Sequence, residues 1–279
     1  MEQNKDINGI MNNLEDIVKS YDANHGVIDY VKMAEYTNQL LDIVFEGEEY
    51  TLPVDINKVV EYLEIEVSEI DLNDENNKNR SNRVVGELSV RPHLFEDGEK
   101  RCIYIDSNTT LHTQRYALAH EIGHYLINKR KKLFSDSYCI MPMLPKEAKE
   151  LVADAFAIFL LIPIKVFIKE FDNYIEENRK NRSLPISTED WLQYLSTVAN
   201  VSYHYVACGY QHLRCVSHWL YQYRYEKMKL DKMEKLDIER DFGVKELQIE
   251  VNRKMEECSL LTQDIEEYLT EDIVNRLFQ

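Results

Sequence analysis

Gln114-Arg115-Tyr116-Ala117-Leu118-Ala119-His120-Glu121-Ile122-Gly123-His124-Tyr125-Leu126-Ile127 is the stretch around which the rest of the chain is read. Its centre is an HExxH motif. Two histidines at i and i+4 sit one above the other on one helix face, so both rings can reach a single ion. Neutral imidazole is a good ligand for Zn²⁺. Glu121 follows the first histidine and can lean toward an open coordination position, where a water would sit. That is the position of a general base for hydrolysis. The flanking residues are apolar on most sides, which predicts a buried helix. The chain has only 8 His in 279 residues, so the pattern seldom arises by chance.

A catalytic zinc site usually has three protein ligands and a water, and the third ligand is expected on another element. The run Glu150-Leu151-Val152-Ala153-Asp154-Ala155-Phe156-Ala157-Ile158-Phe159-Leu160-Leu161-Ile162-Pro163 is apolar apart from Glu150 and Asp154. These two carboxylates are spaced i, i+4 and share a face. An unpaired charge on a buried helix is costly. Zn²⁺ for Glu150, and the free ring N–H of a ligating histidine for Asp154, would satisfy both. The competing possibilities are a solvated face at the helix start and, as rival ligand, Glu147, which lies further from the apolar run.

HEIGH, then Glu-x-x-Ala-Asp-x-Phe-Ala from Glu150 to Ala157, then Leu-Leu-Ile-Pro, resembles the ImmA/IrrE family of zinc metallopeptidases, of the gluzincin group. The resemblance covers about residues 50–215. It implies His120, His124 and Glu150 as zinc ligands and Glu121 as catalytic base. Asp154 stands where the family often has Asn or Asp. It also implies a protein substrate, a helix-turn-helix DNA-binding repressor of a mobile element or stress regulon. In gluzincins an edge strand near the zinc pairs with extended substrate. Val84-Val85-Gly86-Glu87-Leu88 is the candidate here, with Gly86 allowing close backbone approach; an ordinary hairpin is the alternative.

The composition is compatible with this. The chain is 44% hydrophobic and 30% charged, an ordinary soluble balance. A net charge of −17 argues against direct nucleic-acid binding, which needs a basic face. It does not exclude a basic protein partner, and a DNA-binding repressor would be one. Five Cys at irregular spacing point to reduced thiols and a cytoplasmic protein. The N-terminus lacks a signal-peptide core, and no apolar run reaches the ~18 residues that span a bilayer.

Taken in order, residues 1–48 are expected as a helical extension, either a cap or a partner surface. A helix starts at Pro53 or Asp55, Ile65–Val67 is a short strand, and 71–82 is a polar loop. Arg83–Val90 and Arg101–Asp106 are strands about a turn at 96–99. The 128–149 linker carries a basic run at 129–132 and a Met/Pro-rich loop at 141–145 that is a candidate flap, with Cys139 a candidate thiol near the metal. A helix fills 163–182, closing a 49–182 metallopeptidase domain. Thr188 is the expected cap of a helix carrying Trp191, Leu192 and Leu195. With the next helix, capped by Ser202, it forms a helix-turn-helix-like all-α unit, 183–225, resembling the family's second domain. Cys208, His212, Cys215 and His218 form one helical stripe, and a straight helix cannot wrap them around one ion. Residues 226–279 read as an amphipathic helical tail, an interaction module or a stabilising cap.

The expectation is therefore an α+β zincin-like domain with a small sheet and an HExxH helix, followed by helical additions. Its activity would be that of a zinc-dependent endopeptidase. The alternative is a non-catalytic zinc-containing regulator that binds a repressor or toxin partner; an intact Glu121 speaks against it. His112, Tyr116, Tyr125 and Tyr138 are candidate oxyanion donors.

Overall fold

In the computed structural model the described residues are 3–23, 26–72, 84–91, 100–128, 136–139, 148–181, 187–235, 242–258 and 261–262. Nine helices and four strands are assigned among them: α1 Gln3–Ala23, α2 Tyr30–Val44, α3 Ile56–Tyr62, β1 Glu66–Ile70, β2 Val84–Arg91, β3 Lys100–Asp106, α4 Leu111–Asn128, β4 Asp136–Cys139, α5 Ala148–Leu161, α6 Ile164–Asn181, α7 Thr188–Ala199, α8 Tyr203–Lys235 and α9 Phe242–Glu257. The fold is helix-rich with one small mixed sheet.

Local chemistry sets several boundaries. The Asp55 carboxylate accepts the Asn57 N–H and starts α3. Ser187, rather than the expected Thr188, caps α7 by accepting the Asp190 N–H, and Glu189 and Asp190 then fall in the first turn, where the helix dipole favours them. Asn200 ends α7 in the left-handed conformation, φ 55°, a role that Asn fills with little strain. α8 is unbroken over 33 residues and so runs straight through position 225.

The sheet order is β1-β3-β2-β4, with β1 parallel to β3 and β2 antiparallel to both of its neighbours. This corrects the edge position expected for Val84–Leu88. β2 pairs with β3 from Gly86 to Arg91 and with β4 at Val84 and from Gly86 to Leu88, so its central backbone is engaged on both sides. Among the described residues the edges belong to β1 and to β4, which forms within the segment read as a linker. A four-residue strand is too short to leave a periodicity signal, and its pairing partner lies far away in sequence. Side chains of 84–91 and 136–139 are not described. The 73–83 part of the polar loop, the 96–99 turn, the basic run, Glu147, the Met/Pro-rich loop and residues 263–279 also lie outside the described residues.

α4 packs against β2 and β3 on one side and α5 on the other. Gly123 makes the second contact possible. A Cβ there would stand 3.2 Å from Ala153 Cα and 3.2 Å from Phe156 Cδ1. α1 and α2 bury their apolar faces on the same layer, and Leu14, Met33, Leu40 and Leu41 are fully buried. α8 crosses α2, α5, α6 and α7, and α9 folds back on α8. Trp191 of α7 closes one end of the core against Phe167, Phe171 and Tyr174 of α6.

Candidate metal centre

α4 presents His120 and His124 on one face, and α5 presents Glu150 in its first turn toward them. The His120 and His124 Nε2 atoms are 3.0 Å apart. Glu150 reaches both rings, with Oε2 3.4 Å from His120 Nε2 and Oε1 3.1 Å from His124 Nε2. One ligand atom from each residue can be chosen so that all lie within 4.8 Å of one another. His120 and Glu121 are 0% exposed and His124 is 1% exposed, while the Glu150 side chain keeps 30% of its surface. The cluster is thus closed on the helix side and reaches solvent beside the Glu150 carboxylate.

Asp154, one turn after Glu150, lies behind His120. Its Oδ1 is 3.0 Å from His120 Nδ1 and also accepts the Tyr116 hydroxyl at 3.1 Å. A donor contact at Nδ1 leaves Nε2 as the lone-pair nitrogen, which faces His124 and Glu150. The two histidines differ in that, among the described residues, a carboxylate is paired with Nδ1 of His120 and none with Nδ1 of His124.

The electrostatics follow from this packing. Burial opposes charge on the His120 ring, but the hydrogen bonds to Asp154 and Glu150 outweigh it and push its pKa up. Burial would raise Glu150, yet hydrogen bonds from both rings hold its carboxyl well below the usual carboxylate range. Two ring nitrogens and a carboxylate oxygen brought within 4.8 Å of one another are a donor set for a cation. Two imidazoles and one carboxylate match the His₂Glu set of catalytic zinc sites, so these residues fit the ion that the motif implies.

Of the four candidate oxyanion donors, two are occupied elsewhere. The Tyr116 hydroxyl is on Asp154, and the Tyr125 hydroxyl donates to the Leu63 carbonyl at 3.3 Å, where it ties α4 to the end of α3. His112 is exposed at the start of α4, about 12 Å of helix rise before His120. The Tyr138 and Cys139 side chains lie outside the description. The α8 stripe does not converge. Cys208 Sγ contacts His204 Nε2 at 3.8 Å, His212 stacks on Tyr30, and Cys215 and His218 are exposed. Sequence reading missed Tyr205, which stacks face to face on Tyr116 at 3.8 Å. An isolated Gly209 inside a helical pattern was the available hint that α8 approaches another helix closely.

The arrangement is a His/His/Glu group able to hold a metal ion. The model of the IrrE N-terminal-like domain matches residues 60–207, more than half of the chain, and the chain belongs to this family, the ImmA/IrrE peptidases. No curated protein and no solved structure matches it. Among the described residues no single helix is long and apolar enough to cross a membrane.

Proposed function

We propose that the protein is a zinc-dependent endopeptidase whose substrate is a DNA-binding repressor of the helix-turn-helix class. The observation that carries this reading is the His120–His124–Glu150 cluster, with Glu121 next to His120 in sequence and 0% exposed. His120, His124 and Glu150 would hold the ion. When bound, Zn²⁺ supplies Lewis-acid chemistry, making a water more acidic and a peptide carbonyl more electrophilic.

The chain's own residues do the rest. Glu121 takes the proton of the attacking water and delivers it to the leaving amine nitrogen. Asp154 holds the His120 ring with Nε2 turned to the ion. β4 is an edge strand among the described residues, and an extended chain would pair there. The net charge of −17 complements a basic DNA-binding protein and opposes direct binding to nucleic acid.

The test is cleavage. Full-length protein with equimolar Zn²⁺ is incubated with candidate repressors, beside Glu121→Gln at matched zinc content. Discrete fragments from the wild type, reduced about 10²–10⁴-fold in the variant, are expected. Equal relief of repression by both proteins in cells would replace hydrolysis with a binding-only role.

A further inference from the structure

We propose that Tyr116, braced by Tyr205, is a positioning residue for His120, and that α8 thereby sets how tightly the α4–α5 cluster holds its metal. The proposal rests on the metal-site reading above.

The chain of contacts is short, and it is buried except at the half-buried Asp154. Asp154 Oδ1 receives the Tyr116 hydroxyl at 3.1 Å and faces His120 Nδ1 at 3.0 Å. One carboxylate oxygen therefore serves two donors, which limits the rotation of Asp154. Tyr116 is one turn before His120 on α4, 4% exposed, and its ring cannot swing away. It is held by Tyr205 in the first turn of α8, with ring centroids 3.8 Å apart and planes within 4°. The same face of α8 grips α5 one turn on. A Cβ at Gly209 would stand 2.5 Å from Ile158 Cδ1 and 2.5 Å from Ile158 Cγ1. Ile158 is itself one turn beyond Asp154. Tyr205 and Gly209 thus lock α8 on both partners of the relay, Tyr116 on α4 and the Asp154 helix.

His120 depends on this relay and His124 does not, since among the described residues Asp154 is paired with His120 Nδ1 and no carboxylate is paired with His124 Nδ1. Loosening α8 would disturb one ligand of the set and leave the other in place. That is a route by which an event on α8, outside the two metal-bearing helices, changes metal affinity without touching a ligand.

Zn²⁺ affinity is measured by competition with a chromophoric chelator, and the visible spectrum is recorded for Co²⁺-loaded protein, in the full chain. Tyr116→Phe keeps the ring stack and removes only the hydroxyl. It is expected to weaken Zn²⁺ binding about tenfold, at the lower end for outer-shell partners, and to shift the Co²⁺ bands. Tyr205→Leu is expected to weaken binding in the same direction, whereas Tyr205→Phe restores the stack and wild-type affinity. Combined with Asp154→Asn, Tyr116→Phe is expected to add nothing, because it acts through Asp154. Wild-type affinity and spectrum in Tyr116→Phe, or effects that add to those of Asp154→Asn, overturn the relay while the metal site stands. Wild-type protein that takes up neither ion overturns the metal reading and the relay together.

Discussion

Gly123 and Ala153 lie so close that a Cβ at position 123 would stand 3.2 Å from the Ala153 Cα. The contact is with backbone, which cannot rotate aside. Gly123 sits between the two histidines of α4, and Ala153 sits between Glu150 and Asp154 of α5. The distance between these two residues therefore sets the distance between the ligands.

Gly123→Ala is expected to lower stability by about 1–3 kcal/mol, the usual range for overpacking a filled core. It should also weaken metal uptake, because α4 and α5 separate. Chemical denaturation and metal titration check both effects. Wild-type values in both assays would show that the helices slide apart freely.

His120→Ala is expected to lose bound zinc, while Glu121→Gln retains it, because only the first removes a member of the donor cluster. Elemental analysis of the purified proteins separates ligation from proton transfer. Equal zinc in His120→Ala and wild type would rule out the cluster as the metal site.

His212 carries a pH dependence of stability. Its ring stacks on Tyr30 at 4.3 Å, joining α8 to α2, and burial holds its pKa below the ordinary 6.5, partly offset by Asp154. The unfolded chain then takes up a proton that the folded chain resists, so this stability contribution is lost as pH falls through about 6.5 toward the folded-state value. His212→Phe keeps an aromatic ring on Tyr30 and cannot titrate. Melting temperature is expected to drop less for this variant than for wild type between about pH 7 and pH 5. Parallel pH profiles would exclude the effect.

Lys254 of α9 is 3% exposed and meets Glu226 of α8 at 2.7 Å, with Glu250 at 3.8 Å. Glu226→Leu leaves the ammonium with only the longer contact and is expected to cost about 3 kcal/mol or somewhat less. Glu226→Leu with Lys254→Met removes both charges and should recover most of the loss. Urea denaturation of the set tests it; a double variant no more stable than the single one would show that the pair is itself strongly stabilising.

What the chain determined by itself was local. Histidines at i and i+4 face one way on any α-helix, so the pairing of His120 with His124 followed from spacing alone. An apolar run interrupted only by Glu150 and Asp154 named the face that turns toward them, because buried carboxylates need partners. The α5 and α6 helices were legible from periodicity for the same reason. The tertiary structure decided what depended on distant segments. β2 became central because β3 and the four-residue β4 claimed its two sides, and strand order is a choice among partners that no single strand encodes. Tyr116 and Tyr125 looked alike as hydroxyl donors beside the motif, and only the packing sent one to Asp154 and the other to the Leu63 carbonyl. Tyr205, 89 positions after Tyr116, gave no local sign of the stack, because ring contact between two helices exists only once the core has brought them together.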